Sequence, residues 1–172
     1  MGQPGAGKSS LLSKIGGRRL KPAPSIGVET DATDWAGSNE CVLLFSSESW
    51  RVADVPGYDT QGHPAAAFLA GFPFLSFDAF IFVVRGKLRA ADESVYGRLA
   101  ATGKPVLIVR GFADGMDNKE VVDAIQDIRC RLGVPNSVKV VPVSNRTAIG
   151  IDTVRRWLRA QAKAKLTDHG LE

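Results

Sequence analysis

The sequence has little of what several common chemistries require. Its 172 residues include two cysteines and two histidines. Cys41 and Cys130 stand at neither metal nor redox spacing, which argues against a zinc module or a disulfide scaffold. Both read as buried, reduced thiols of a cytoplasmic protein. No apolar run is long enough to span a bilayer, although attachment to a membrane surface stays open. Charge of one sign is scarce too: 22 basic side chains against 18 acidic ones leave a formal +4, scattered along the chain. That excess suits a binder of small anions and is too diffuse to indicate DNA or RNA. There is no internal repeat and no low-complexity segment. The length fits a single domain over 1–172 with a proper core.

Against these absences stands one strong motif. Gly2-Gln3-Pro4-Gly5-Ala6-Gly7-Lys8-Ser9 has the spacing G-x-x-x-x-G-K-S of a phosphate-binding P-loop. Gly2, Gly5 and Gly7 let the backbone turn so that successive N–H groups converge on phosphate oxygens. Lys8 supplies a point charge for the outer phosphates, and the Ser9 hydroxyl can ligate magnesium. Ser10 follows, and Leu11, Leu12 and Ile15 line one side of a helix whose N-terminus faces the anion. A P-loop ordinarily leaves the end of a buried strand, and only Met1 precedes this one. The expectation is therefore a domain truncated at its N-terminus and lacking its first strand.

Further along, apolar runs at 40–45 and 50–55 flank Ser46-Ser47-Glu48-Ser49 and predict a β-hairpin. Residues 65–77 are rich in alanine and phenylalanine, and a helix with a buried connection explains them better than a membrane-touching face. Buried parallel strands are expected at 78–84, 104–109 and 138–143. Helices fall at 90–101, at 119–132 and from Ile151 onward. In the second of these, Val121, Val122, Ile125, Ile128 and Leu132 share one face. Strands alternating with helices after one hairpin imply an α/β fold of three layers, mostly parallel with one antiparallel edge strand. Ligands of such sheets bind at the carboxyl ends of the strands, where the P-loop, Asp54, Asp114 and Ser144 fall.

The second motif, Asp54-Val55-Pro56-Gly57, ends the hairpin and is followed by Tyr58-Asp59-Thr60-Gln61-Gly62-His63-Pro64. An aspartate here can hold magnesium, and a glycine N–H can touch a γ-phosphate. With the P-loop, these residues make the chain resemble small GTPase domains over its whole length, most closely the immunity-related and dynamin-like GTPases and their bacterial relatives. The resemblance implies GTP or GDP with Mg2+ as the bound group and slow hydrolysis of GTP as the activity. A homodimer or an effector protein is the implied partner. Gly2, Gly5, Gly7, Lys8, Ser9 and Ser10 would cradle the phosphates, and Ser9, Thr33 and Asp54 would hold the metal. Lys8, Thr33 and Gly57 would serve hydrolysis. Thr33 suits the usual distance to the aspartate better than Thr30, and the choice stays open.

The base-reading segment departs from the family pattern. Asparagine or threonine, then lysine, any residue and aspartate are expected, but the chain runs Arg110-Gly111-Phe112-Ala113-Asp114. Asp114 matches the carboxylate that accepts from N1–H and the exocyclic amine of guanine, a donor pair adenine lacks. It can also be read as a turn aspartate. Phe112 replaces the lysine. Ser144 and Asn145 match the loop that touches the base from the other side. Tyr58 stands where signalling GTPases carry the water-orienting glutamine, with Gln61 and His63 as substitutes. Two competing readings remain at this level: an ATP-dependent P-loop enzyme, and a scaffold that binds nucleotide without turnover.

Overall fold

The computed structural model describes residues 1–16, 44–46, 50–55, 57–60 and 64–168, and the elements fall in the expected order. Helix α1 (Lys8–Gly16) follows the glycine-rich turn directly, with Leu11, Leu12 and Ile15 buried. The hairpin forms as β1 (Leu44–Ser46) and β2 (Arg51–Ala53), antiparallel, with Phe45 opposite Val52. After it come α2 (Ala65–Gly71), β3 (Phe80–Val84), α3 (Ala90–Ala101), β4 (Val106–Arg110), α4 (Asn118–Leu132), β5 (Val140–Pro142) and α5 (Ile151–Asp168). Strands β3, β4 and β5 pair in parallel in that order.

Strand alternation divides the core into two layers. Phe80, Phe82 and Val84 of β3, with Val106 and Ile108 of β4, turn toward α3 and α4. Val95, Tyr96, Leu99 and Ile128 meet them there, together with the aromatic cluster Phe68, Phe72 and Phe74. On the opposite face Val83, Leu107, Val109 and Val141 pack against Leu11, Leu12 and Ile15 of α1 and Ile151 and Val154 of α5. The phenylalanines of the segment at 65–77 thus belong to the core or pack against it, as a helix with a buried connection requires, while Leu75 is exposed.

Two expectations need correction. Cys130 is exposed rather than buried, because α4 turns that position to solvent and buries only Ile128. Val122 likewise lies 60 % exposed, outside the buried stripe assigned to it. Asp117 accepts from the Glu120 N–H at the start of α4, and Gly133 closes the helix in the left-handed conformation.

The sheet is interrupted. Among the described residues the β1–β2 ribbon and the β3–β4–β5 sheet share no ladder. A cavity of about 650 Å³ lies between them, walled by Trp50, Val52 and Asp54 on one side and Ala79 and Ile81 on the other. Met1 reaches its upper end and pairs as a parallel strand would. Its ammonium donates to the Ile81 carbonyl and its carbonyl accepts from the Val83 N–H, each at 2.8 Å.

Candidate functional site

The glycine-rich turn lies against the carboxyl end of β3. Gly2, Gly5 and Gly7 adopt φ of 150°, 69° and 90°. Only the first and last are also sterically compelled: a Cβ on Gly2 would lie 2.1 Å from the Val83 carbonyl oxygen, and one on Gly7 3.1 Å from the Asn145 side chain. The turn closes with the Ala6 N–H on the Gln3 carbonyl at 3.2 Å. Lys8 Nζ donates to that same carbonyl at 3.1 Å. Ser9 and Ser10 sit in the first turn of α1, half-buried, where N–H groups lack helical partners. The loop has the shape of an anion cradle at a helix N-terminus.

Asp54 follows β2 immediately and is 5 % exposed. Its Oδ2 is buried and has no hydrogen-bond partner among the described residues. A buried, orphaned carboxylate oxygen is costly unless something positive joins it. The Met1 ammonium is near enough to feel both Asp54 and Lys8, and burial above all holds it down to about 5. Among the described residues no cluster of three histidine, cysteine or acidic side chains could cage a metal. One carboxylate plus the Ser9 hydroxyl is the donor set of a magnesium ion that keeps water and phosphate oxygens for the rest of its shell. Thr30 and Thr33 lie outside the described residues, as do Gln61 and His63.

The segment after Asp54 is docked onto the P-loop. A Cβ on Gly57 would come within 2.5 Å of Pro4. Tyr58 is wholly buried, tilted against Phe68 with ring centroids 5.6 Å apart. Its hydroxyl donates to Asp92 Oδ1 at 2.6 Å, and burial, reinforced by Asp92, pushes its ionisation far above the ordinary value. Tyr58 therefore cannot orient an attacking water. Asp59, at φ 65°, pairs with Arg89 at 3.7 Å.

The base-reading residues gather on the other rim. Phe112 adopts a left-handed conformation at 44 % exposure, with the Arg85 guanidinium 4.3 Å above its ring. Gly7 is the neighbour of that ring on the P-loop side. Asp114 sits in the short helical turn Ala113–Gly115, and Asp117 rather than Asp114 caps α4. The Ser144 hydroxyl, helped by Arg146, holds the Asp114 carboxyl below the usual range. Arg146 Nε lies 2.7 Å from Asp114 Oδ2. Ser144 is fully buried, and its Oγ accepts the N–H groups of Arg146 and Thr147. Asn145 Nδ2 donates to the Gly7 carbonyl at 3.2 Å, while its Oδ1 is buried without a partner among the described residues. Asp114, Ser144 and Asn145 are thus brought to the same end of the sheet as Gly7.

Sequence reasoning passed over Gln3, Arg85, Asp92 and Arg146. Only Asp92 carried a local signal, as the fourth residue of a helix start, and that pointed to capping rather than to Tyr58.

Comparison with known proteins agrees with this arrangement. The chain is 32 % identical over 149 residues to GTPase Der of Bifidobacterium longum, covering 82 % of this chain and 30 % of that protein. Its likeness to GTPase Der of Streptomyces coelicolor is also 32 %, over 148 residues and the same shares. The chain thus spans about a third of the length of these relatives. Among solved structures, a probable GTP-binding protein engB superposes with a TM-score of 0.68 at 17 % identity, covering 95 % of this chain and 96 % of that one. The elongation factor SelB of Methanococcus maripaludis gives 0.66 at 18 %, covering 95 % and 33 %. At such identities these structures establish the fold alone. Residues 1–110, which include the P-loop, Asp54 and Gly57, match the family described as 50S ribosome-binding GTPase. With the P-loop, the α/β layers and that match in agreement, the chain belongs to the 50S ribosome-binding GTPase family.

Proposed function

We propose that the chain binds Mg-GTP across the carboxyl ends of β3, β4 and β5 and hydrolyses it to GDP and phosphate, as a switch between two loop states. The observation that carries this reading is the convergence on Gly7: Asn145 bonds its carbonyl, Phe112 lies beside it, and Asp114 stands in the same turn as Phe112. Phosphate loop and base-reading carboxylate thereby border one site across Gly7. Gly2, Gly5, Gly7 and Ser10 line the phosphate side, and Lys8 and the N-terminus of α1 offset the charge that builds on the phosphoryl oxygens. Ser9 and Asp54, with Thr33 as the resemblance implies, would hold magnesium, and the ion would polarise the γ-phosphate. The Gly57 N–H fixes the γ-phosphate, and Ser144 with Asn145 closes on the base.

Hydrolysis is slow on this reading, because the side chain after Gly57 is committed to Asp92 and is unavailable to water. A partner or a second copy supplies the missing positioning. The family's description makes the large ribosomal subunit the first partner to test, by sedimentation with GTP against GDP. The narrower kinship with immunity-related and dynamin-like GTPases has only the runs Asp54 to Gly57 and Tyr58 to Pro64 in its support. No helix among the described residues is long and apolar enough to cross a membrane, which is compatible with work in the cytoplasm. Titration with GTP, GDP and ATP, with and without EDTA, tests the reading. Equal affinity for ATP and GTP overturns it, and binding without phosphate release leaves the scaffold alternative in its place.

A further inference from the structure

Asp92 is a buried carboxylate, 4 % exposed, that faces no cation among its hydrogen-bond partners. Three donors from three separate parts of the chain satisfy it instead. Oδ1 accepts the Tyr58 hydroxyl at 2.6 Å. Oδ2 accepts the Gln3 side-chain amide at 2.7 Å and the Arg89 N–H at 2.9 Å. Capping α3 needs only the last of these, and an exposed glutamate or glutamine at this third helical position would serve that purpose equally well. Burying a carboxylate costs several kcal/mol before its hydrogen bonds offset it, so the two other contacts call for an explanation.

Both run to loops of the nucleotide site. Gln3 belongs to the P-loop, and its backbone carbonyl also accepts from Lys8 Nζ and from the Ala6 N–H. Tyr58 follows Gly57, which rests on Pro4, the neighbour of Gln3. One carboxylate therefore links Lys8 on one loop to Gly57 on the other, the two groups that the GTP reading assigns to the γ-phosphate. We infer that Asp92 is a positioning residue for triphosphate recognition, clamping the P-loop and the Asp54–Gly57 loop together through Gln3 and Tyr58. It touches no nucleotide itself. On the GTP reading the phosphates nearer the base would lie against Gly5 to Gly7, which the Asp92 carboxylate does not contact directly. Loosening the clamp should impair GTP far more than GDP.

This inference rests on the GTP-binding reading, and the experiment separates the two. Affinities for GDP and for a non-hydrolysable GTP analogue are measured on the unmutated chain, Tyr58→Phe, Gln3→Leu and their double variant, with melting curves alongside. Tyr58→Phe keeps the buried ring, and Gln3→Leu keeps the side chain's bulk, so both should fold. Each single change is expected to weaken the GTP analogue about tenfold, the equivalent of one hydrogen bond to a charged acceptor, with GDP held within about twofold. The double variant should be no worse than the poorer single one, since both act through one clamp. Equal losses for GDP and GTP analogue, multiplied losses in the double variant, or no change would overturn the clamp. Failure of the unmutated chain to bind the analogue would instead overturn the GTP reading.

Discussion

Asn145 Nδ2 donates to the Gly7 carbonyl across 3.2 Å, joining residues 138 positions apart. The contact fastens the loop after β5 to the turn that precedes α1, so the base side and the phosphate side of the site are held as one unit. Asn145→Ala should weaken GDP and GTP alike, by about 1 kcal/mol or fivefold, as expected for one lost hydrogen bond. Asn145→Asp should cost more, because an acceptor would then face the Gly7 carbonyl. Nucleotide titration checks both, and a loss confined to GTP would refute the role in joining the two sides.

Base selectivity should rest on Asp114. Its carboxyl is held ionised by Ser144 and Arg146, so both oxygens remain acceptors at neutral pH. Asp114→Asn should cut the preference for GTP over ATP by about one to two orders of magnitude and admit xanthine nucleotides. Competition assays decide this. Arg146→Ala frees Asp114 Oδ2 from its exposed partner and is expected to leave that preference intact.

The phosphate and metal side has an internal control. Ser9→Ala removes the proposed magnesium ligand, Lys8→Ala a charge, and Asp54→Asn the buried oxygen that lacks a partner among the described residues. Each should abolish magnesium-dependent GTP binding at micromolar protein. Ser10→Ala, one position further into α1, keeps the backbone N–H through which Ser10 would meet a phosphate and should be nearly silent. Equal losses at Ser9 and Ser10 would indicate general destabilisation.

The cavity between β2 and β3 predicts both a gain of stability and a pH signature. A strand of five or six β-branched residues joined ahead of Met1 would run between Trp50–Val55 and Ala79–Ile81, pairing as Met1 already does. Melting temperature and GTP affinity should both rise, and an unchanged melting temperature would count against the strand entering the cavity. In the unextended chain the Met1 ammonium is lowered from 8.0 to about 5 in the folded state. Between those pH values the unfolded chain binds the extra proton, so stability from this group should climb from about pH 5 to pH 8. The extension turns the ammonium into an amide, and that climb should vanish with it.

What could be read without coordinates was whatever depends on neighbours in sequence. Three glycines at fixed spacing before Lys8-Ser9 require positive φ within a few residues, and the positive φ values are there. Unbroken apolar runs mark β3 and β4 as strands covered on both faces, and apolar residues at helical spacing mark the buried side of α1 and α3. Where a face is only partly covered the pattern overreaches. Val122 and Cys130 sit on a helix whose neighbours cover less of it than its apolar residues suggest.

The remaining decisions belong to packing at long range. That Tyr58 turns inward to Asp92 depends on α3 arriving beneath the loop that follows Asp54. That Gln3 joins them needs the P-loop to pass over the same helix start. That Arg146 reaches Asp114 requires the loops after β4 and β5 to lie side by side. A sequence pattern carries hydrophobicity and backbone preference from residue to neighbouring residue. Hydrogen-bond geometry between side chains 32, 34 or 89 positions apart arises only when the layers are assembled. The chemistry of the phosphate cradle was therefore written in eight consecutive residues, while the clamp that aligns it came into being with the fold.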